Sequence, residues 1–398
     1  MKGLMVLVLF SFPLIASGCA QTERVHGRIS SNTVWQGRVI LEGDVYVAPG
    51  ARLTVLPGTL IRYSSGEIRS EIQRIRSHAG RTYDLFSESR VEIIVAGDID
   101  IGGTESNPVI ITAPVDDPER AGGINFIGEK CGSQISHLII NGGYIGIRVY
   151  DFRKPLIENV SIKGTTAGGI GCWDAAAPVI RGSVVERTKY GIGAADNSGP
   201  VISRSLVRNN SASGVFFEGM SSGEVTECEI TGNNVGVAVG NGASPRVHNS
   251  VITGNGSGVG CWNESTPEMS GNNFYSNIVG VLAVDSASPV ISSNTFRSNG
   301  AGASFGDRAS GLVRDNSFTG SGPGIVITGS SSPELDGNSV AENEYGIRVE
   351  GRSAPSLVRN TFRSNRVGML VTDFAKPRSD RNKFEGNETD SVDSRLNR

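Results

Sequence analysis

The stretch Pro289-Val-Ile-Ser-Ser-Asn-Thr-Phe-Arg-Ser-Asn-Gly-Ala-Gly302 sets the fold of the whole chain, because its pattern returns about every 22 residues from Ser133 onward. Units start at Ser133, Pro155, Pro178, Pro200, Gly223, Pro245, Pro267, Pro289, Gly311, Pro333, Pro355 and Pro377, and two run one residue longer. A unit this short can bury its apolar side only against its neighbours. Aligned on these starts, each column has one chemistry. Two residues in, the column is apolar, from Ile135 through Met269 and Ile291 to Leu357. Five residues further it reads Ile140, Ile162, Val185, Val207, Ile230 and Ile252, then Phe274, Phe296 and Phe318. A glycine column follows, from Gly146 to Gly368, and then a strand whose alternate residues are apolar, as in Ile347 and Val349. Alternation places those side chains inside and their neighbours outside.

Short strands without a helical-period run leave no room for a helical crossover, so successive units must stack as coils with parallel strands. The handedness of parallel connections makes the coil right-handed. The expected fold is therefore all-β, a right-handed single-stranded parallel β-helix with coils of about 22 residues. Proline at the first strand position fits, since a missing N–H is tolerated there. Two asparagine columns, one containing Asn272, Asn294, Asn316, Asn338, Asn360 and Asn382 and the other running from Asn210 to Asn387, read as amide ladders and turn residues. Ahead of the regular array at 133–386, residues 34–132 carry further β coils, interrupted by a charged insert at 64–90 that is either a protruding loop or a short amphipathic helix. Residues 19–33 read as a linker and 387–398 as a polar cap or tail.

The 53 glycines and 6% aromatic content suit one elongated, turn-rich structure, and a net charge of −3 gives no footprint for nucleic acid. At the start, Lys2, the apolar run Leu4 to Ile15 and the small residues after it read as an export signal spanning residues 1–18. Ala16-Ser17-Gly18-Cys19 resembles a bacterial lipobox, which implies lipidation of Cys19, a membrane anchor and a place in the cell envelope, at the outer membrane or in the periplasm. The phrases Val55-Leu-Pro-Gly-Thr-Leu and Gly103-Thr-Glu-Ser-Asn-Pro-Val-Ile-Ile-Thr, with the Asn-x-Phe-x-x-Asn-x-x-Gly-Ile-like repeats, resemble the NosD-like and other parallel β-helix repeat proteins, relatives in fold of pectate lyases. That resemblance implies fold more than function, since the fold carries polysaccharide lyases, hydrolases and epimerases as well as surface proteins without catalysis.

Three features invite chemistry. Five residues after each glycine lies a column of Asp, Asn and Gly alone, including Asp151, Asp174, Asp196, Asp285 and Asp307. These are the residues that tolerate a left-handed turn, which is the favoured account, although stacked carboxylates could hold calcium or serve catalysis with Arg148 as base. The outward positions beside the glycine strand carry Tyr150, Trp173, Phe216 and Trp262, separated by Gly171, Gly193, Gly240 and Gly260, a pattern suited to stacking on sugars or meeting a protein. The cysteines Cys131, Cys172, Cys228 and Cys261 are even in number, yet Cys172 and Cys261 share a column about 19 Å apart, which forbids a disulfide. The four histidines show no metal-ligand or triad spacing. The leading expectation is an envelope lipoprotein with no metal, displaying an aromatic face to a glycan or an envelope protein. The rivals are a polysaccharide lyase or hydrolase and, through resemblance alone, a NosD-like periplasmic maturation factor.

Overall fold

The computed structural model describes residues 22–64, 89–128 and 132–395. Cys19 with the export segment, Cys131 and nearly all of the insert at 64–90 lie outside the described residues. The chain forms a right-handed parallel β-solenoid whose coils each contribute three strands. In the coil beginning at Pro289 these are Val290–Ser292, Thr295–Arg297 and Ala301–Phe305. Each pairs in parallel with its equivalent one repeat on, with Ile291 opposite Val313, Phe296 opposite Phe318 and Ala303 opposite Ile325. The first strands form one sheet of 15, from Thr33–Trp35 to Arg378–Asp380, while the second and third merge into a larger sheet. Fifteen coils at a spacing of about 4.8 Å give a rod roughly 70 Å long.

In-register stacking puts like on like. The apolar columns read from the sequence form one continuous core in which Ile291, Phe296, Val313, Phe318, Leu335 and Ile347 are fully buried. Phe274, Phe296 and Phe318 stack with ring centroids 4.6 and 4.5 Å apart. The glycine column is the second residue of each third strand and is needed for space, not for conformation. A Cβ at Gly302 would stand 2.4 Å from the carbonyl oxygen of Gly324 and 2.6 Å from a ring carbon of Phe318. Nothing but hydrogen fits between neighbouring coils there.

The asparagine columns are buried ladders. Asn316 Oδ1 accepts from the backbone N–H of Asn294 at 2.9 Å and from its Nδ2 at 3.1 Å. In turn Asn316 Nδ2 donates to Asn338 Oδ1 at 3.0 Å and to the Ile291 carbonyl at 2.9 Å. Toward the N-terminus serine takes over, with the Ser205 hydroxyl accepting from the Ser183 N–H at 3.2 Å. The ladder residues themselves do not take the left-handed turn. That conformation falls on the residue just before each rung, at Ser293, Asp315 and even Arg359, all with φ between 53° and 55°. The rung fixes the corner so firmly that a long side chain is held where Gly or Asn would ordinarily stand.

The N-terminal end differs from expectation. Thr22–Ile29, within the stretch expected to be a linker, is a strand paired in parallel with Arg38–Val47. Glu23, Arg24 and Arg28 are exposed while Val25 and Ile29 pack on the core, so the coil that closes the rod has a weak apolar signal. At the far end the polar stretch after Asn387 keeps coil geometry, with Thr389–Asp393 paired to Val367–Val371 though all five residues are exposed. Asn387 supplies the last rung, accepting from Asn365 Nδ2 at 3.1 Å.

Replacing Asn316 by Ala removes an oxygen with two donors and an amide with two acceptors, all buried. A loss of about 2–3 kcal/mol is expected, read as a lowered urea midpoint. Asn316→Ser, the residue other coils use in this column, should lose less, and an unchanged midpoint for the alanine variant would show that the ladder adds nothing to stability.

Candidate functional site

The aromatic face grows from the same register. Gly171, Gly193, Phe216, Ala238 and Gly260 succeed one another at one outward position of the third strand. Two residues further along the chain come Trp173, Ala195, Glu218, Gly240 and Trp262. Each of these rings packs over glycine. The Trp262 ring covers Gly240 and Gly260, where an added Cβ would lie 2.2 Å and 3.0 Å from ring atoms. Trp173 covers Gly171, and Phe216 covers Gly193, each leaving 2.1 Å for such a Cβ. The three rings are half-buried. Tyr190 stands edge-on to Phe216, with centroids 5.2 Å apart at 64°. Together with Glu218 and Val235 these side chains line a groove of about 430 Å³. The two tryptophans lie four coils apart, about 19 Å.

Three of the four aromatics proposed from sequence thus meet in one groove. Tyr150 does not join them as an open platform. It is only 9% exposed, stacks on Trp173 at 5.2 Å, and packs with Tyr46, Ile94 and Ile127 in a second apolar cluster outside the barrel. Tyr190 was missed by counting only positions after the glycine, and its signal was a tyrosine immediately before Gly191.

Arg148 was also expected on the open face, beside the aspartates. Its side chain is buried, 3.3 Å from the equally buried Glu92 and bonded to the Gly122 carbonyl at 3.2 Å. A guanidinium so enclosed by a carboxylate is a structural charge and not an exposed base. Asp151 is buried and accepts from the Gly128 N–H at 2.7 Å. Asp151, Asp174 and Asp196 have φ of 54°, 52° and 58°, and Asn241, Asn263, Asp285, Asp307 and Asp373 lie between 47° and 57°. The whole column is a left-handed turn, which accounts for its composition. Among the described residues no group of three His, Cys, Asp or Glu side chains is placed to hold a metal ion, so the residues proposed for calcium form a row of corners and no cage. No described helix is long and apolar enough to cross a membrane.

Cys172, Cys228 and Cys261 are free thiols in the core. Burial pushes the Cys261 thiol up to about 12 and that of Cys228 to about 11, where hydrogen bonding with the backbone at Ser205 and Thr226 partly opposes the rise. Burial raises the Cys172 thiol as well. His248 Nε2 lies 2.8 Å from Glu224 Oε1 on the first-strand sheet, away from the aromatic groove.

Residues 122–274 and 257–395 match the sequence model of the family described as right handed beta helix region. No curated protein matches the sequence. Among solved structures, that of the periplasmic alginate epimerase AlgG is similar with a TM-score of 0.58 at 12% identity, over 74% of this chain and 77% of that one. The A-module of the Azotobacter vinelandii mannuronan C-5 epimerase AlgE6 matches with a TM-score of 0.45 at 13% identity, over 87% of this chain and 91% of the other. At these identities the likeness is one of fold.

Two outcomes are expected. Gly240→Val should displace the Trp262 ring, shifting tryptophan emission to the red in a Trp173→Phe background, and unchanged emission would contradict its packing over Gly240. Because the thiolate is the reactive form and the folded chain holds these thiols protonated, Cys172, Cys228 and Cys261 should resist maleimide at pH 8 in the chain from Gln21 carrying Cys131→Ser and label only on unfolding. Labelling in the native state would place them outside the core.

Proposed function

This chain belongs to the right-handed β-helix family, and from that premise we propose that it is a cell-envelope glycan-binding protein, exported and lipid-anchored at Cys19, whose aromatic groove seats a polysaccharide. The observation that carries this reading is that the half-buried rings of Trp173, Phe216 and Trp262 pack over Gly171, Gly193 and Gly240 and line one groove. The C–H face of a pyranose is apolar, and a flat aromatic ring in a rigid sheet offers it contact area at little entropic cost. A protein partner would press a larger continuous apolar area than three separated rings provide. The groove also runs along the rod across several coils, which suits a linear chain of repeating units. The fold neighbour AlgG, a periplasmic alginate epimerase, acts on a polysaccharide, which is consistent with this use of the fold.

Each stacked ring should contribute about 1 kcal/mol, so Trp173→Ala and Trp262→Ala are each expected to weaken polysaccharide retention about fivefold and the double variant about 30-fold. Affinity electrophoresis of the soluble chain from Gln21 measures this, with circular dichroism as the check on folding. Equal retention of the folded double variant and the parent would remove the groove from consideration.

A further inference from the structure

We propose that the groove seats an extended β-1,4-linked pyranose chain lying along the rod, which names the ligand class for the glycan site above and rests on that reading. The groove is lined from five successive coils, with Trp173 on the first of them and Trp262 on the last. The two tryptophans are placed alike. In each, atoms of the six-membered ring crowd the Cβ position of the glycine two residues earlier in the same coil, Gly171 for Trp173 and Gly260 for Trp262. In-register strand pairing keeps them four whole coils apart, about 19 Å. The site therefore offers two like contacts on one sheet face at a fixed distance along the axis.

A ligand that uses both contacts must present one unit to Trp173 and another to Trp262 with the same side toward the sheet. The rise per unit of an extended β-1,4-linked chain is close to the coil spacing, so the distance between the tryptophans matches about four steps of such a chain. Successive units of that ribbon are turned by half a revolution, and units an even number of steps apart show the same face. An α-1,4- or β-1,3-linked chain winds as it extends. When one of its units lies against Trp173, the unit that reaches Trp262 is turned away from the sheet, and only one of the two rings is used.

The floor between the tryptophans suits a straight chain. Ala195, Ala238 and Gly240 keep it low, and Phe216 adds a ring between the two ends. Glu218 is exposed in the tryptophans' column, two coils from each, where its oxygens can accept from hydroxyls of the middle units. Because the ribbon and the sheet are both stiff, engaging one tryptophan places the chain at the other with little further loss of freedom.

The test measures binding to the chain from Gln21 by calorimetry, using two sets of hexamers matched in charge within each set. One set is cellohexaose, laminarihexaose and maltohexaose, and the other is the hexamers of β-1,4-mannuronate and α-1,4-galacturonate. In whichever set binds, the β-1,4 hexamer is expected to be held about fivefold tighter than its companions, the worth of one stacked ring. Shortening it to the tetramer, which cannot reach both tryptophans, should cost a similar factor. Trp262→Ala should erase the difference between hexamer and tetramer while circular dichroism stays unchanged. A wound hexamer bound as tightly as the ribbon of its set, and lost on Trp262→Ala, would overturn the linkage preference while keeping the groove as a glycan site. A tetramer bound as tightly as the hexamer, or a ribbon whose binding ignores Trp262→Ala, would overturn it as well. If no hexamer of either set binds, the glycan reading itself fails and the linkage preference with it.

Discussion

The constraint on which everything else depends is the parallel, in-register hydrogen bonding of one coil to the next, at about 4.8 Å. Because each strand residue faces its own equivalent, whatever stands at a position must tolerate a copy, or a chosen complement, immediately above and below. Flat rings tolerate this, and phenylalanines stack in the core. Primary amides tolerate it too, since each carries both a donor and an acceptor and can relay bonds without leaving a buried group unsatisfied. Where a backbone carbonyl of the next coil points straight at a Cα, only glycine survives.

The groove is that same rule applied on the outside. A tryptophan on the outer face has a full coil of backbone beside it, and its ring packs over positions that lack a Cβ. Gly171, Gly193, Gly240 and Gly260 are therefore part of the site as much as the rings they carry. They hold those rings at fixed height and orientation without hydrogen bonds, through shape alone, which is the kind of rigid apolar platform that loses little entropy on binding.

Much of this was legible in the sequence because columns repeat and repetition is visible without a structure. The inward columns, the ladders, the aspartate turns and the distant, unbridged cysteines all follow from one alignment of units. What escaped was non-repeating. Tyr150 and Arg148 stand at outward positions by count, yet are buried by contacts from outside the repeat, with Tyr46, Ile94 and Glu92 among them. Thr22–Ile29 read as a linker because a closing strand has one partner and one wet face, so half of its apolar signal is missing. The left-handed residue before each asparagine rung is hidden for another reason: the rung holds the corner so well that Arg359 and Glu342 are accepted where the usual turn residues would have announced it.

The placement of Trp173 and Trp262 in one column of the solenoid has a consequence for how such a protein can change over time. Their separation is a whole number of coils, and a coil is a unit that can be duplicated or lost in a single genetic event without disturbing the register of those that remain. The span between them is therefore quantised. A lineage of such chains would explore recognition by steps of one coil, as a ruler is lengthened by whole divisions, while the chemistry at each mark stays what it was.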